Sequence, residues 1–155
     1  MRVGVYGLGR FGSFWARVLA RHAEVRAWSR DSSHPAPPGV TPVGEDEVLR
    51  EPALFFCVAI SAFEEVLLRT APRIPAGTLV MDTCSVKSHP AALMGRLLAP
   101  GVSALATHPM FGPDSAGESL QGLPMVLCPV RVAPDTLEEW RRFFASLGLS
   151  VTVMT

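Results

Sequence analysis

The sequence predicts an α/β fold: one doubly wound, mostly parallel sheet forming a single domain over residues 1–155. Three observations carry that expectation. Short β-rich runs alternate with segments whose apolar residues recur at helical spacing, the pattern of strands joined by crossover helices. One run, Leu54-Phe55-Phe56-Cys57-Val58-Ala59-Ile60, is apolar at every position, as a central strand covered on both faces must be. The length, 155 residues with 48% hydrophobic content, is enough to bury a sizeable core.

Taken in order, Arg2-Val3-Gly4-Val5-Tyr6 reads as the first strand, and Phe14, Trp15, Val18 and Leu19 mark the first helix. Between them stands Gly7-Leu8-Gly9-Arg10-Phe11-Gly12, a G-x-G-x-x-G turn in a strand–turn–helix setting. That setting is what makes the motif a dinucleotide site of the Rossmann type. Gly7 permits the tight turn, Gly9 lets backbone approach a pyrophosphate, and Gly12 lets helix and strand pack closely. The helix N-terminus adds free N–H groups and a partial positive charge for the phosphates. Residues 7–12, including Leu8, Arg10 and Phe11, are therefore the first candidate cofactor-binding segment.

Val25–Trp28 is the second strand. An Asp or Glu at its end would hold a ribose 2′-hydroxyl, as in NAD sites; this chain has Ser29-Arg30 instead. A guanidinium fork and a hydroxyl suit a 2′-phosphate, so NADP is the expected cofactor and NAD the alternative. Asp31 is expected to face solvent or help turn the chain. Residues 31–42 are rich in Ser, Pro and Gly and read as a surface connection. A brief extended piece over 40–43 and a short helix over 45–50 follow.

After the central run 54–60, Ser61 reads as the N-cap of the next helix, with Glu64 completing a capping box. That helix carries Phe63, Val66 and Leu67, stops before Pro72, and its N-terminus makes Ser61 a further cofactor contact. Thr78–Asp82 is a strand, followed by Thr83-Cys84-Ser85-Val86-Lys87 and a helix marked by Ala91, Leu93, Met94, Leu97 and Leu98. Val102–Thr107 is a strand delivering His108-Pro109-Met110-Phe111-Gly112-Pro113-Asp114, and residues 113–122 read as a loop over the site. A strand from Pro124 to Cys128, a helix bearing Leu137, Trp140, Phe143, Phe144 and Leu147, and a terminal strand 149–153 complete the chain.

Composition narrows the function classes. Fourteen Lys+Arg balance fourteen Asp+Glu, which favours neither nucleic acid nor an anionic membrane as partner. No apolar run is long enough to span a bilayer, and the N-terminus enters a strand without a signal-peptide pattern. The three cysteines, Cys57, Cys84 and Cys128, are widely spaced without a CxxC pair. They predict buried thiols in a reducing, cytoplasmic setting, with no metal site.

In doubly wound sheets ligands bind beyond the carboxyl ends of the strands. Three strand ends carry suitable groups: the glycine turn, the Asp82–Lys87 segment, and His108. An imidazole is a usable proton acceptor at neutral pH, and Ser85 is placed to hydrogen-bond it. By spacing alone, His108 could equally be structural and Ser85 a helix cap.

Asp82-Thr83-Cys84-Ser85-Val86-Lys87 and His108-Pro109-Met110-Phe111-Gly112-Pro113-Asp114, behind an N-terminal G-x-G-x-x-G, resemble the prephenate dehydrogenase family. The resemblance is closest to the dehydrogenase part of the chorismate mutase/prephenate dehydrogenases and covers nearly the whole chain. It implies oxidative decarboxylation of prephenate to 4-hydroxyphenylpyruvate in tyrosine biosynthesis, or of arogenate to tyrosine. His108 then matches the catalytic histidine that accepts the substrate hydroxyl proton, and Ser85 the serine that hydrogen-bonds it. Asp114 falls where some members carry an acidic residue influencing access; a turn residue is the other reading. Lys87 is either a charge near the site or a helix-face lysine, and Asp82 accepts backbone N–H groups. The family's helical C-terminal domain, which forms the dimer and supplies basic residues for substrate carboxylates, is absent from these 155 residues. The expectation is a domain that binds NADP(H) but turns over poorly or not at all alone, needing that domain or a partner. Another NADP-dependent reductase, of the 3-hydroxyacid or pyrroline-5-carboxylate type, and a non-catalytic NADP-binding module are the rival readings.

Overall fold

A computed structural model describes every residue except Ser32 and Glu118. Eight strands form one sheet: β1 (Arg2–Tyr6), β2 (Glu24–Trp28), β3 (Val40–Pro42), β4 (Ala53–Phe56), β5 (Leu79–Asp82), β6 (Ser103–Pro109), β7 (Pro124–Arg131) and β8 (Ser150–Val153). Their spatial order is β3-β2-β1-β4-β5-β6-β7-β8. Pairing is parallel from β3 through to β6, antiparallel between β6 and β7, and parallel again between β7 and β8. The mostly parallel, doubly wound sheet is thus present, with two reversed strands at one edge. Because β1, β2 and β3 progress one way and β4, β5 and β6 the other, the direction switches between β1 and β4. A crevice opens at their carboxyl ends.

The helices are α1 (Arg10–Leu19), α2 (Glu45–Val48), α3 (Ile60–Thr70), α4 (Ser88–Leu97), α5 (Pro113–Ala116) and α6 (Pro134–Ser146). Alternation along the strands divides the apolar residues between two cores. Val3, Val5, Phe55, Met81 and Leu105 pack under α1 and α6 with Trp15, Leu19, Trp140 and Phe144. Tyr6, Leu54, Phe56 and Val80 pack under α2, α3 and α4 with Val48, Phe63, Leu67 and Met94. Trp15, completely buried, is the hub of the first core. Its ring lies 5.9 Å from Phe55, 6.0 Å from Phe111 and 6.1 Å from Phe144. One side chain of α1 therefore ties the glycine turn to the segment that follows His108. Among the described residues no helix is long and apolar enough to cross a membrane.

Several boundaries differ from the sequence expectation. The central strand leaves the ladder after Phe56, and α3 begins at Ile60 with Ala59 as N-cap and no side-chain cap. Ser61 is thus already inside the helix, and the Ser61–Glu64 capping box does not form. Residues 57–59 are apolar because they wall the crevice, not because a sheet covers them. Pro113–Ala116, read as loop, makes a helical turn that buries Ala116; Glu118 in that stretch, like Ser32 in the other, lies outside the described residues. Strand β6 runs on through Pro109, so His108 pairs with Val126 inside the ladder rather than past its end. Strand β7 continues to Arg131, three residues beyond its expected end.

On the rim of the second core, Glu45 accepts hydrogen bonds from Tyr6 Oη at 2.6 Å, Arg69 at 2.8 Å and Arg73 at 2.6 Å. Burial pushes the Glu45 carboxyl up, but these donors outweigh it and hold it at about 2, below the ordinary 4.5. A depressed carboxyl contributes stability above its unfolded value, and that contribution is lost as pH falls through the folded one. Wild-type stability should fall between pH 4.5 and 2. Urea unfolding of Glu45→Gln across that range should show a shallower dependence.

Candidate functional site

The site begins with three glycines doing different steric work. Gly7 has φ +105°, a conformation L side chains resist, and a Cβ there would stand 2.7 Å from the Cys57 carbonyl oxygen. A Cβ on Gly12 would stand 2.0 Å from the Gly7 carbonyl oxygen, so α1 touches the turn backbone to backbone. Around the position a Gly9 Cβ would take, nothing lies within 4 Å. Gly9 is also the N-cap of α1 and carries no side-chain cap. The first bond of the helix runs from Ser13 N–H to the Gly9 carbonyl at 2.9 Å, leaving the amides of Arg10, Phe11 and Gly12 at its head without intrahelical acceptors. A positively polarised helix end thus faces space left clear of side chains, which fits a pyrophosphate.

From this turn a groove runs between the ends of β1, β2 and β4 and the start of α3. Leu8, Trp28, Cys57, Val58, Ala62 and Val66 supply apolar wall, while Ser29, Arg30, Asp31 and His34 supply the polar end. Arg30 is exposed and has no ion pair among the described residues. Asp31 accepts from Ser33 N–H at 2.9 Å and Ser33 Oγ at 2.6 Å, and these bonds lower its carboxyl; it turns the chain, as expected. Apolar wall, helix head and a polar end suit the adenosine and pyrophosphate of a dinucleotide. Cys57 is not a nucleophile in this setting, since burial pushes its thiol up to about 12.

Several predicted residues land elsewhere. The half-buried Phe11 ring stacks against Trp15 at 6.0 Å. Arg10 pairs with Asp114, fastening the head of α1 to α5. Ser61 lines a shallow surface depression with Glu64, Glu65 and Leu68, while its neighbours Ala59 and Ala62 line the groove. Conversely, Arg69 on the groove wall escaped the sequence reading. It donates to Tyr6 Oη at 3.1 Å, and on α3 it reads as an ordinary solvated helix residue.

Farther along the same carboxyl edge stand Ser85 and His108. Pairing of Asp82 with Ala106 brings the ends of β5 and β6 level, so both residues emerge on that edge. His108 is half-buried; Ser85 is exposed, and no hydrogen bond joins them. Burial lowers the His108 pKa from the ordinary 6.5, Lys87 lowers it further, and Asp82 opposes both. The shift favours the neutral imidazole, the form that can accept a proton. Among the described residues no cluster of His, Cys, Asp and Glu could hold a metal ion.

Residues 43–153 match the family described as prephenate dehydrogenase, nucleotide-binding domain. Arogenate dehydrogenase 2, chloroplastic, of Arabidopsis thaliana is 31% identical over 168 residues, covering all of this chain and 47% of the relative. Arogenate dehydrogenase 1, chloroplastic, of the same plant is 32% identical over 143 residues, covering 87% of this chain and 22% of the relative. The chain thus spans about half of the first relative's length and less of the second's. Among solved structures, Synechocystis arogenate dehydrogenase superposes with a TM-score of 0.82 at 25% identity, over the whole chain and 60% of that structure. Prephenate dehydrogenase from A. aeolicus, in complex with hydroxyphenyl propionate and NAD+, gives 0.80 at 16% identity over the same shares and matches in fold. The matched segment contains both the Asp82–Lys87 turn and the His108–Asp114 run, and on this match the chain belongs to the prephenate dehydrogenase family, whose nucleotide-binding domain it carries.

Proposed function

We propose that this chain is the cofactor-binding half of an NADP-preferring dehydrogenase that oxidatively decarboxylates prephenate or its amino counterpart arogenate. The observation that carries the reading is a half-buried His108 on the same carboxyl edge as the glycine turn, with burial lowering its pKa. When bound, the oxidised nicotinamide supplies the hydride acceptor. The chain's own part is to orient and to move one proton. His108 accepts the proton of the ring hydroxyl as the carbon bearing it gives up hydride and the ring carboxylate departs as carbon dioxide. Aromatisation supplies the driving force, so positioning is the main task. The Ser85 hydroxyl, without a hydrogen bond among the described residues, is available to hold the substrate hydroxyl or the imidazole. Arogenate stands beside prephenate because the two plant relatives and the Synechocystis structure are arogenate dehydrogenases.

The NADP preference rests on Ser29 and Arg30 at the polar end of the groove. A charged hydrogen bond to the 2′-phosphate is worth about 1.5–3 kcal/mol. Arg30→Ala should therefore weaken NADP roughly 10- to 150-fold in a fluorescence titration and leave NAD unchanged. Equal weakening of both cofactors would overturn the phosphate clamp. For the reaction itself, turnover of prephenate and of arogenate with NADP+ by the longest natural form of the chain is the test. Neither substrate being oxidised, with NADP still bound tightly, would leave a binding module instead.

A further inference from the structure

Beneath His108 lies a charged pair for which the groove has no use. The Asp82 side chain is fully buried at the end of β5, and the Lys87 side chain, 15% exposed, reaches it from the turn before α4. Two charges withdrawn from water are costly unless their remaining hydrogen-bonding positions are filled. Here they are filled by one neighbouring residue above all. Thr107 N–H donates to Asp82 Oδ1 at 3.2 Å, the Thr107 hydroxyl donates to the Asp82 carbonyl, and Lys87 Nζ donates to both Asp82 Oδ2 and the Thr107 carbonyl. Cys84 N–H completes the carboxylate at 3.0 Å. Donor and acceptor of the Thr107 backbone, and its side chain, are thus all fastened to this pair. The next residue is His108.

We propose that Asp82 and Lys87 are positioning residues for His108, a buried ionic clamp that locks the end of β6 to the end of β5 and so fixes where the imidazole sits. The proposal rests on the reading of His108 as the proton acceptor and extends it to two residues that touch no substrate. The same placement gives the pair an electrostatic hand on the ring. Lys87 favours the neutral imidazole and Asp82 the charged one. On the other side, β7 places Val126 opposite His108 and Cys128 opposite Ala106, and the Cys128 thiol is pushed up by burial. Lys87 and Asp82 are thus the charged groups that act on His108, and the bonds of the clamp end on the residue before it.

The test reads the imidazole directly, by NMR titration of the histidine ring carbons in the intact chain. Lys87→Met should raise the His108 titration, because Asp82 is left unopposed. Asp82→Asn should lower it. Asp82→Asn/Lys87→Met removes both charges, leaves no buried ion, and should bring the titration back toward wild type. All three should shift the Thr107 and His108 amide resonances while NADP affinity stays within about twofold. A His108 titration indifferent to all three variants would overturn the proposal. Should the single variants unfold, the test falls to amide exchange in the wild-type protein. The wild-type protein supplies a measurement that needs no variant: the Cys84 and Thr107 amides should exchange with solvent as slowly as those of β5. Exchange at loop rates would overturn the clamp. Since neither readout needs turnover, failure of the clamp and failure of the dehydrogenase reading are separate results.

Discussion

Gly12→Ala is expected to destabilise the native fold sharply and to abolish cofactor binding. The added Cβ would have to occupy a point 2.0 Å from the Gly7 carbonyl oxygen and 3.1 Å from the Cys57 Cβ. Overpacking of a core by a side chain costs about 1–3 kcal/mol because side chains can give way. Here the obstacle is backbone, and that backbone is itself pinned. Gly7 N–H donates to the Trp28 carbonyl at 2.8 Å, and Cys57 N–H donates to the Tyr6 carbonyl at 2.8 Å. Relief requires α1 to lift from the sheet, which would pull Trp15 out of the aromatic cluster it anchors. A loss of at least about 3 kcal/mol is expected, a large share of the roughly 5–15 kcal/mol available to a domain of this size. Urea unfolding gives the stability and an NADP titration gives the affinity. Gly9→Ala is the matched control: its Cβ enters open space at φ −68°. It should unfold near the wild-type midpoint yet bind NADP weakly, since the methyl takes the room left for a pyrophosphate. A Gly12→Ala protein with the wild-type midpoint would mean that the turn and α1 do not meet as described.

The contrast between those glycines shows what could be read from the chain and what could not. The roles of Gly7 and Gly12 follow from a steric pattern that depends only on local spacing, so the turn and α1 were legible. So was Asp82 as a backbone acceptor, because a carboxylate ending an apolar strand has few other partners. The start of α3 was not legible, since Cys57, Val58 and Ala59 are apolar for the sake of a groove that the sequence cannot display. Ser61 misled for the same reason: a plausible cap is only a cap if the strand ends one residue before it. Lys87 is the more instructive case. Its partner Asp82 is five residues away, but the bond that gives the pair its meaning reaches Thr107, twenty residues on and in another strand. Arg69 and Tyr6 meet across 63 residues, a pairing no periodicity announces. Long-range polar contacts, unlike helical or strand periods, leave no mark on the neighbouring sequence.

His108→Asn should abolish hydride transfer in the longest natural form of the chain while leaving NADP affinity unchanged. Asparagine keeps a hydrogen-bonding group of similar reach but cannot take up a proton. Loss of a general base costs about 10²–10⁴ in rate. The β6–β7 ladder holds residue 108 through its backbone, opposite Val126, so the substitution should not disturb the strand. The pH dependence distinguishes a base from a hydrogen-bond donor. A base must be neutral, so the wild-type rate falls as pH drops through the His108 pKa. Burial, with Lys87 adding to it, holds that pKa below the ordinary 6.5, which puts the acid limb below that of a free imidazole. The linked stability term has the same sign. A histidine whose folded pKa is depressed contributes fully above its unfolded value, and the contribution declines as pH falls from 6.5 toward the folded one. On the proposed reading, protonation removes the base and favours unfolding together. Reduction of NADP+ followed across that range should show the acid limb in the wild type and none in the residual rate of the variant. A His108→Asn protein within about tenfold of the wild-type rate, still showing the limb, would move the base to another residue.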